Sequence, residues 1–317
     1  MKLKDLFKLA IEKGIDTDPR GREKVLEELD KRRKKYDNLE QDKKDEFDVE
    51  RLVNPYDDSR ILWGDPDTEI KSVLVGIDID TAELVLADRL REKGKAIDLV
   101  MAHHPEGKAL ARLHSVMDVQ EDILFSMGVP INVAEGLMLP RIAEVERSIL
   151  PINHNKSVDA ARLLGIPFMN VHTPADNNVQ KYLEDLFKEK APETVGDIVK
   201  ILKEIPEYAQ AGRMSAGPKI ILGDEERRCG KILVDMTGGT GGSEDAYSKL
   251  SEAGVGTIVC MHMGDKHRKE AEKHHINVII AGHMASDSLG LNIILDAFET
   301  EGIAMEYCSG VTRHSRL

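Results

Sequence analysis

The sequence predicts an α/β fold with mainly parallel sheets, and two patterns carry that expectation. From Lys71 onward, short aliphatic runs alternate with longer segments at helical spacing, the arrangement that gives strand–helix–strand units with right-handed crossovers. Hydrophobic residues fill 41% of the 317 positions but aromatics only 4%, so the core is expected to be packed and aliphatic. A third observation concerns chemistry. Several strand-like runs end in histidine, where open α/β sheets place their ligands.

The amino-terminal region is a different material. Leu3, Leu6, Phe7, Ala10 and Ile11 sit at helical spacing, Gly14 marks a stop, and Thr17-Asp18-Pro19 opens a second helix with Pro in its first turn. Residues 20–51 are dense in mixed charge, and Arg33 interrupts the Leu26, Leu29, Tyr36 seam. A solvated helix lying on the body is expected here, with a partner-binding or oligomer arm as the alternative. Residues 1–65 are thus read as a helical accessory that does not build the site.

The first strand of the body is Ser72–Ile77. Asp80 with Glu83 three residues on forms a capping-box pair for the next helix, although Asp78 and Asp80 are also within sequence reach of a metal site. Further strands are expected at 97–101, 129–134, 167–171, 218–222, 231–236, 257–261, 277–281 and 303–307. Helices are expected near 81–93, 115–127, 158–164, 178–189, 195–203, 243–253, 266–275 and 287–298.

Three stretches carry the chemistry. In IDLVMAHHPE a strand runs to Met101 and ends in His103-His104-Pro105; Pro105 cannot continue the ladder, and the turning backbone allows both imidazoles to face one pocket. In FMNVHTPADNN a strand ends at His172, with Asp176 four residues on. Asp176 can bind a metal or cap a helix starting near Asn177. In NVIIAGHMASD the strand ends in Gly282-His283, and Asp287 follows by four, one face of a helix that begins near Met284. Imidazole plus carboxylate suits Zn, Fe, Mn or Co. Five such side chains exceed what one catalytic ion uses, which points to two divalent ions and hydrolytic chemistry.

In this order the three stretches resemble the Nif-three-like family, whose members often carry the name GTP cyclohydrolase 1 type 2. That family has an HHP, an H-x-x-x-D and a GH-x-x-x-E. The resemblance covers residues from about 70 to the carboxyl end. It implies two metal ions on His103, His104, Asp176 and His283, with Asp287 in place of the family's Glu. It also implies two interlocked α/β lobes around a dimetal cleft, here residues 66–190 with 283–317 and residues 191–282, assembled as a hexameric ring. Asp176 is the best candidate for a carboxylate shared by both ions, and Asp287, one methylene short, should hold its ion less firmly. The long interval between His104 and Asp176 suggests an insertion around 135–160, and the first 65 residues look foreign to the family.

His262 and Asp265, in CMHMGDKH, resemble the family's TGD turn, and are the candidates for acid–base work or substrate contact; Asp265 as a helix cap is the alternative. Thr237–Ser243, TGGTGGS, follows a strand and precedes a helix, the placement of a phosphate-cradling loop, but it lacks a P-loop lysine. A formal net charge of −13 argues against a nucleic-acid face. No apolar run is long enough to span a membrane, and three dispersed cysteines read as reduced thiols of a cytosolic protein. Two functions therefore compete: a metal-dependent hydrolase of a nucleotide-like or other small polar substrate, and a metal-binding scaffold that recruits a protein partner.

Overall fold

The computed structural model describes residues 1–317. Helices α1 (Leu3–Asp16), α2 (Arg22–Asp37) and α3 (Gln41–Glu46) precede strand β1 (Arg60–Trp63). Next come β2 (Ser72–Gly76), α4 (Thr81–Glu92) and β3 (Leu99–Ala102), followed by α5 (Gly107–Ala111), α6 (Val119–Ser126), α7 (Ile131–Ile149) and α8 (Lys156–Leu164). β4 (Phe168–Asn170) leads into the long α9 (Thr173–Lys190), then α10 (Val195–Glu204) and α11 (Pro206–Arg213). The remainder is β5 (Lys219–Leu222), β6 (Lys231–Asp235), α12 (Ala246–Glu252), β7 (Val255–Cys260), α13 (Asp265–Lys273), β8 (Asn277–Ile280), α14 (His283–Thr300) and β9 (Ala304–Tyr307).

The strands make two mixed sheets. The first has the order β1-β4-β3-β2-β9 and the second β5-β8-β7-β6. All neighbours are parallel except the edge strands β1 and β5, which pair antiparallel with β4 and β8. Each sheet thus keeps the parallel α/β core that alternation predicted and adds one antiparallel edge, a common variation. The second sheet lies wholly between Lys219 and Ile280, and β9 then returns to the first. Helix α9 leaves the first sheet and α14 leaves the second, and the two pack along each other. A Cβ at Gly290 of α14 would stand 2.1 Å from the Ala175 carbonyl of α9, so only glycine permits this crossing.

Some elements differ from expectation. The run 129–134 is not a strand: Pro130 precedes α7, whose Ala134, Met138, Val145 and Ile149 are buried. A six-residue apolar run does not distinguish strand from buried helix. Helix α9 begins at Thr173, before the expected start, with Pro174 in its first turn. The capping box of Asp80 and Glu83 is present on α4, and Asp80 also pairs with Lys156 at 2.6 Å.

The amino-terminal segment is more than a solvated cover. Leu3, Leu6, Phe7, Ala10, Ile11 and Ile15 of α1 belong to the same buried cluster as Val73, Val75, Leu99 and Met101 of the first sheet. At Gly14 a Cβ would lie 2.5 Å from Pro174 Cα, so α1 is pressed against the start of α9. Residues 60–63 are themselves an edge strand of the sheet. Helix α2, burying Val25 and Leu29 alone, and α3, burying no residue, keep the solvated character. A chain beginning at residue 66 is therefore expected to be insoluble or unfolded by circular dichroism. Leu6→Ala should cost about 2–5 kcal/mol in denaturant unfolding, the range for a buried leucine; a soluble, cooperatively folding truncated chain would contradict this packing.

Candidate metal centre

The carboxyl ends of the parallel strands in both sheets point toward one cleft. His103 and His104 follow β3, and their backbone N–H groups donate to Gly76 and Ile77 carbonyls at 2.9 and 3.0 Å, which fixes the turn. His172 is the residue before α9, and Asp176 lies in that helix's first turn. His283 opens α14 after Gly282, whose φ of +119° is readily adopted only by glycine. A Cβ there would also meet the Ala216 carbonyl at 2.5 Å. His283 and Asp287 share a helix face, with Nε2 and Oδ2 3.7 Å apart.

Asp287 is at the centre. Its carboxylate oxygens lie 3.6 Å from His103 Nε2 and 3.6 Å from His104 Nε2. Asp176 Oδ1 lies 3.4 Å from His103 Nε2. Potential ligand atoms within 4.8 Å of one another form three groups: His103, Asp176 and Asp287; His104, His283 and Asp287; His103, His104 and His172. All five sequence-derived candidates therefore come together, and His172 joins them. Three of the imidazoles are turned by a partner on the far nitrogen. The Nδ1–H of His103 donates to the Val171 carbonyl at 3.0 Å. His104 Nδ1 and Asp78 are 2.7 Å apart, and His172 Nδ1 and Asp58 are 2.7 Å apart. Each Nε2 is thereby aimed into the cluster, the arrangement in which an outer partner sets the tautomer of a metal-binding histidine.

No family model and no curated protein matches the chain. Among solved structures, the NIF3 superfamily protein from Sphaerobacter thermophilus is 28% identical, with 80% of this chain and 92% of that chain covered and a TM-score of 0.70. In sequence and fold the chain is NIF3-like. Reduced HcgD from Methanocaldococcus jannaschii (16% identity, 78% and 87% covered, TM-score 0.49) and TTHA1606 from Thermus thermophilus (14%, 85% and 94%, 0.47) are also similar.

The donor set of this chain fits a metal. His103 Nε2, Asp176 Oδ1 and both carboxylate oxygens of Asp287 are buried with no hydrogen-bond partner in the protein. Buried polar atoms are rarely left unmatched, and these four lie against one another. The chain is accordingly a metal-binding protein whose His/Asp cluster is able to hold metal ions.

Two residues outside the expected set matter. Asp58, fully buried, accepts from His172 and from the Thr173 hydroxyl at 2.6 Å, and the Ser59 hydroxyl accepts the His172 backbone N–H at 2.9 Å. Sequence reading placed both in an accessory segment; the pairing spans more than a hundred residues and has no local signal. Asp78, weighed as a ligand, instead orients His104.

The two acid–base candidates separate. His262 follows β7 and stacks near His283, ring centroids 4.9 Å apart. Asp265 is not in the cleft: its side chain is 66% exposed and pairs with Arg268 and Lys269. Its position at the start of α13 turns it toward that helix's own cations. The Gly-rich loop 237–243 borders the cleft without forming a P-loop. The Thr237 hydroxyl donates to the Asn177 side chain at 2.7 Å, and the Gln120 amide holds the Gly238 and Thr240 carbonyls at 2.7 and 2.6 Å.

Charge in the metal-free cluster is balanced by protons. Burial lifts Asp176 to about 6 against the pull of His172. Burial alone would lower His172, but Asp176 and Asp58 outweigh it and raise the imidazole from 6.5 to about 9. Burial and the neighbouring His103 push His104 down to about 4. A group with a raised folded pKa stabilises the fold fully below its unfolded value and loses that contribution as pH rises through the folded value. Metal-free protein is therefore expected to lose stability between about pH 6.5 and 9, the interval between the ordinary and the raised His172 values, and metal-loaded protein to show a flatter profile. Thermal unfolding across that range, with and without chelator, measures the difference.

Proposed function

We propose that the chain is a dinuclear-metal hydrolase of a small polar substrate. The observation that supports this best is the pair of unpartnered Asp287 oxygens, each facing a different ligand group. In this reading one ion is held by His103, Asp176 and Asp287, the other by His104, His283 and Asp287. The donor chemistry suits Zn, Fe, Mn or Co. Asp287 rather than Asp176 is then the shared carboxylate: it belongs to both groups, and burial at the centre compensates for its short side chain. His172 is a further donor to the first ion. Such a pair of ions would supply an activated water and charge stabilisation. The chain's own contribution is orientation and proton handling. Asp78, Asp58 and the Val171 carbonyl hold three imidazoles in one tautomer, and His262, at the rim beside His283, takes or delivers a proton.

Metal analysis after remetallation should give about two ions per chain, fewer than one in Asp287→Ala, and a reduced content in His104→Ala. Unchanged content in both variants would remove the assignment. Turnover of a panel of phosphoesters and cyclic amides should disappear with chelator and return with metal. His262→Ala should lower it by about 10²–10⁴-fold at unchanged metal content. A panel with no metal-dependent turnover, together with a protein that copurifies tightly, would favour the scaffold reading.

We also propose a ring of identical subunits in the cytosol, from the family resemblance and from exposed Leu139, Leu150 and Leu163 on α7 and α8 and the turn between them. No helix is long and apolar enough to cross a membrane. Light scattering should give a mass several-fold above 35.3 kDa; a monomer at every concentration would exclude the ring.

A further inference from the structure

Behind the Gly-rich loop lies a cavity of about 270 Å³, outside the His/Asp cluster. One side is apolar, with Ile123, Leu124, Met138, Leu233, Leu250 and Ile258 beside the Tyr247 ring, and the other is polar, with Gln120, Arg141, Asp235, His262, His267 and the Gly-rich loop. The apolar residues belong to the core of the second lobe between β6, β7, α6, α7 and α12.

The cavity adjoins the metal pocket. Asp235, Thr240, Gly241 and His262 line both spaces. His262 thus stands between His283 of the cluster and the cavity. The loop that forms the partition is braced: Gln120 takes the Gly238 and Thr240 carbonyls, Arg141 Nε donates to the Gly241 carbonyl at 2.9 Å, and His267 Nε2 donates to the Gly242 carbonyl at 3.0 Å. Four of the loop's carbonyls are therefore already engaged by the protein.

A carboxylate is left. Asp235 ends β6 half-buried at the cavity wall, and burial raises its pKa against the weaker pull of His262 and His267. Its carboxylate receives no hydrogen bond from the chain. A half-buried carboxylate beside apolar side chains favours a ligand that brings a donor to it. Its complement must bring an N–H or O–H group on an apolar body. A cation is disfavoured, because the adjacent cluster is built to carry cations and the Arg141 guanidinium lines the same cavity.

We propose that this cavity binds the organic body of the substrate, a small ring compound with a neutral N–H group that donates to Asp235, such as a cyclic amide or N–H heterocycle. The proposal extends the hydrolase reading by naming the substrate class of that site, and the binding itself is measurable without turnover. The aliphatic walls hold the ring, Asp235 selects the N–H, and the polar part of the substrate faces the His/Asp cluster past His262.

The test uses metal-loaded protein and two probes of the same shape class, benzamide and N,N-dimethylbenzamide, in ligand-observed NMR titrations. Wild type should bind benzamide at least tenfold more tightly than the dimethyl compound, the difference expected for one hydrogen bond to a charged group. Asp235→Leu should remove that preference, and Leu250→Trp should abolish benzamide binding by filling the cavity. Metal content of both variants should equal that of wild type. Equal binding of the two amides to wild type, or no binding of either, overturns the proposal without reference to any variant. Undiminished binding to Leu250→Trp overturns it as well. If wild type holds no metal yet discriminates between the amides, the hydrolase reading fails while the pocket stands.

Discussion

Two buried carboxylates, Asp176 and Asp287, lie close to one another between α9 and α14, and much of the structure answers that constraint. Like charges buried together are tolerated only when cations, protons or donors are supplied. Here four imidazoles surround them, and three of those are locked so that an unprotonated nitrogen can point inward. The first turn of α9 carries Asp176, where the exposed backbone N–H groups favour negative charge. The distance between the carboxylates is set by the backbone: Gly290 against the Ala175 carbonyl lets the helices approach as side chains would not allow. Packing and ligand geometry are therefore one problem, solved at the α9–α14 crossing.

The same crossing explains why the amino-terminal segment is integral. Gly14 lets α1 press on Pro174 at the start of α9, and Asn177 Nδ2 donates to the Gly14 carbonyl and the Tyr56 hydroxyl at 3.1 and 3.2 Å. Tyr56 in turn donates to Asp18. Helix α9 is thus clamped from one side by α1 and from the other by α14. Asp58 then reaches His172 from the loop before β1. What looked from composition like a charged appendage holds an outer partner of the cluster.

Much of the fold and the cluster was legible because the signals were local. Strand ends at His103-His104, His172 and Gly282-His283 each sit within a few residues of an aliphatic run, and the i,i+4 spacing of His283 and Asp287 is a property of one helix. The parts that were not legible depend on distance or on ambiguous runs. Asp58 meets His172 only after β1 pairs with β4. The segment 129–134 is apolar enough for either secondary structure, and only its continuation through Val145 and Ile149 marks it as a helix. Asp265 has a plausible neighbourhood in sequence, next to His262, but the turn into α13 separates them: His262 lines the cleft and Asp265 meets Arg268 and Lys269.

The division between the lobes also divides the chemistry. The first sheet supplies His103, His104 and, through α9, Asp176, all anchored to β2, β3 and β4 by backbone and outer-partner hydrogen bonds. The second sheet supplies His283 and Asp287 through α14, together with His262, Asp235 and the aliphatic cavity. Metal-holding groups thus follow strands of both sheets, whereas everything that touches the cavity comes from the layers of the second sheet and from α6 and α7. Those two helices fall between β3 and β4 in the chain, yet they pack on the second sheet. The interval that looked like an insertion is therefore the element that roofs the cavity, so sequence changes in α7 can reshape what binds there while leaving the ligand cluster, held by other contacts, in place.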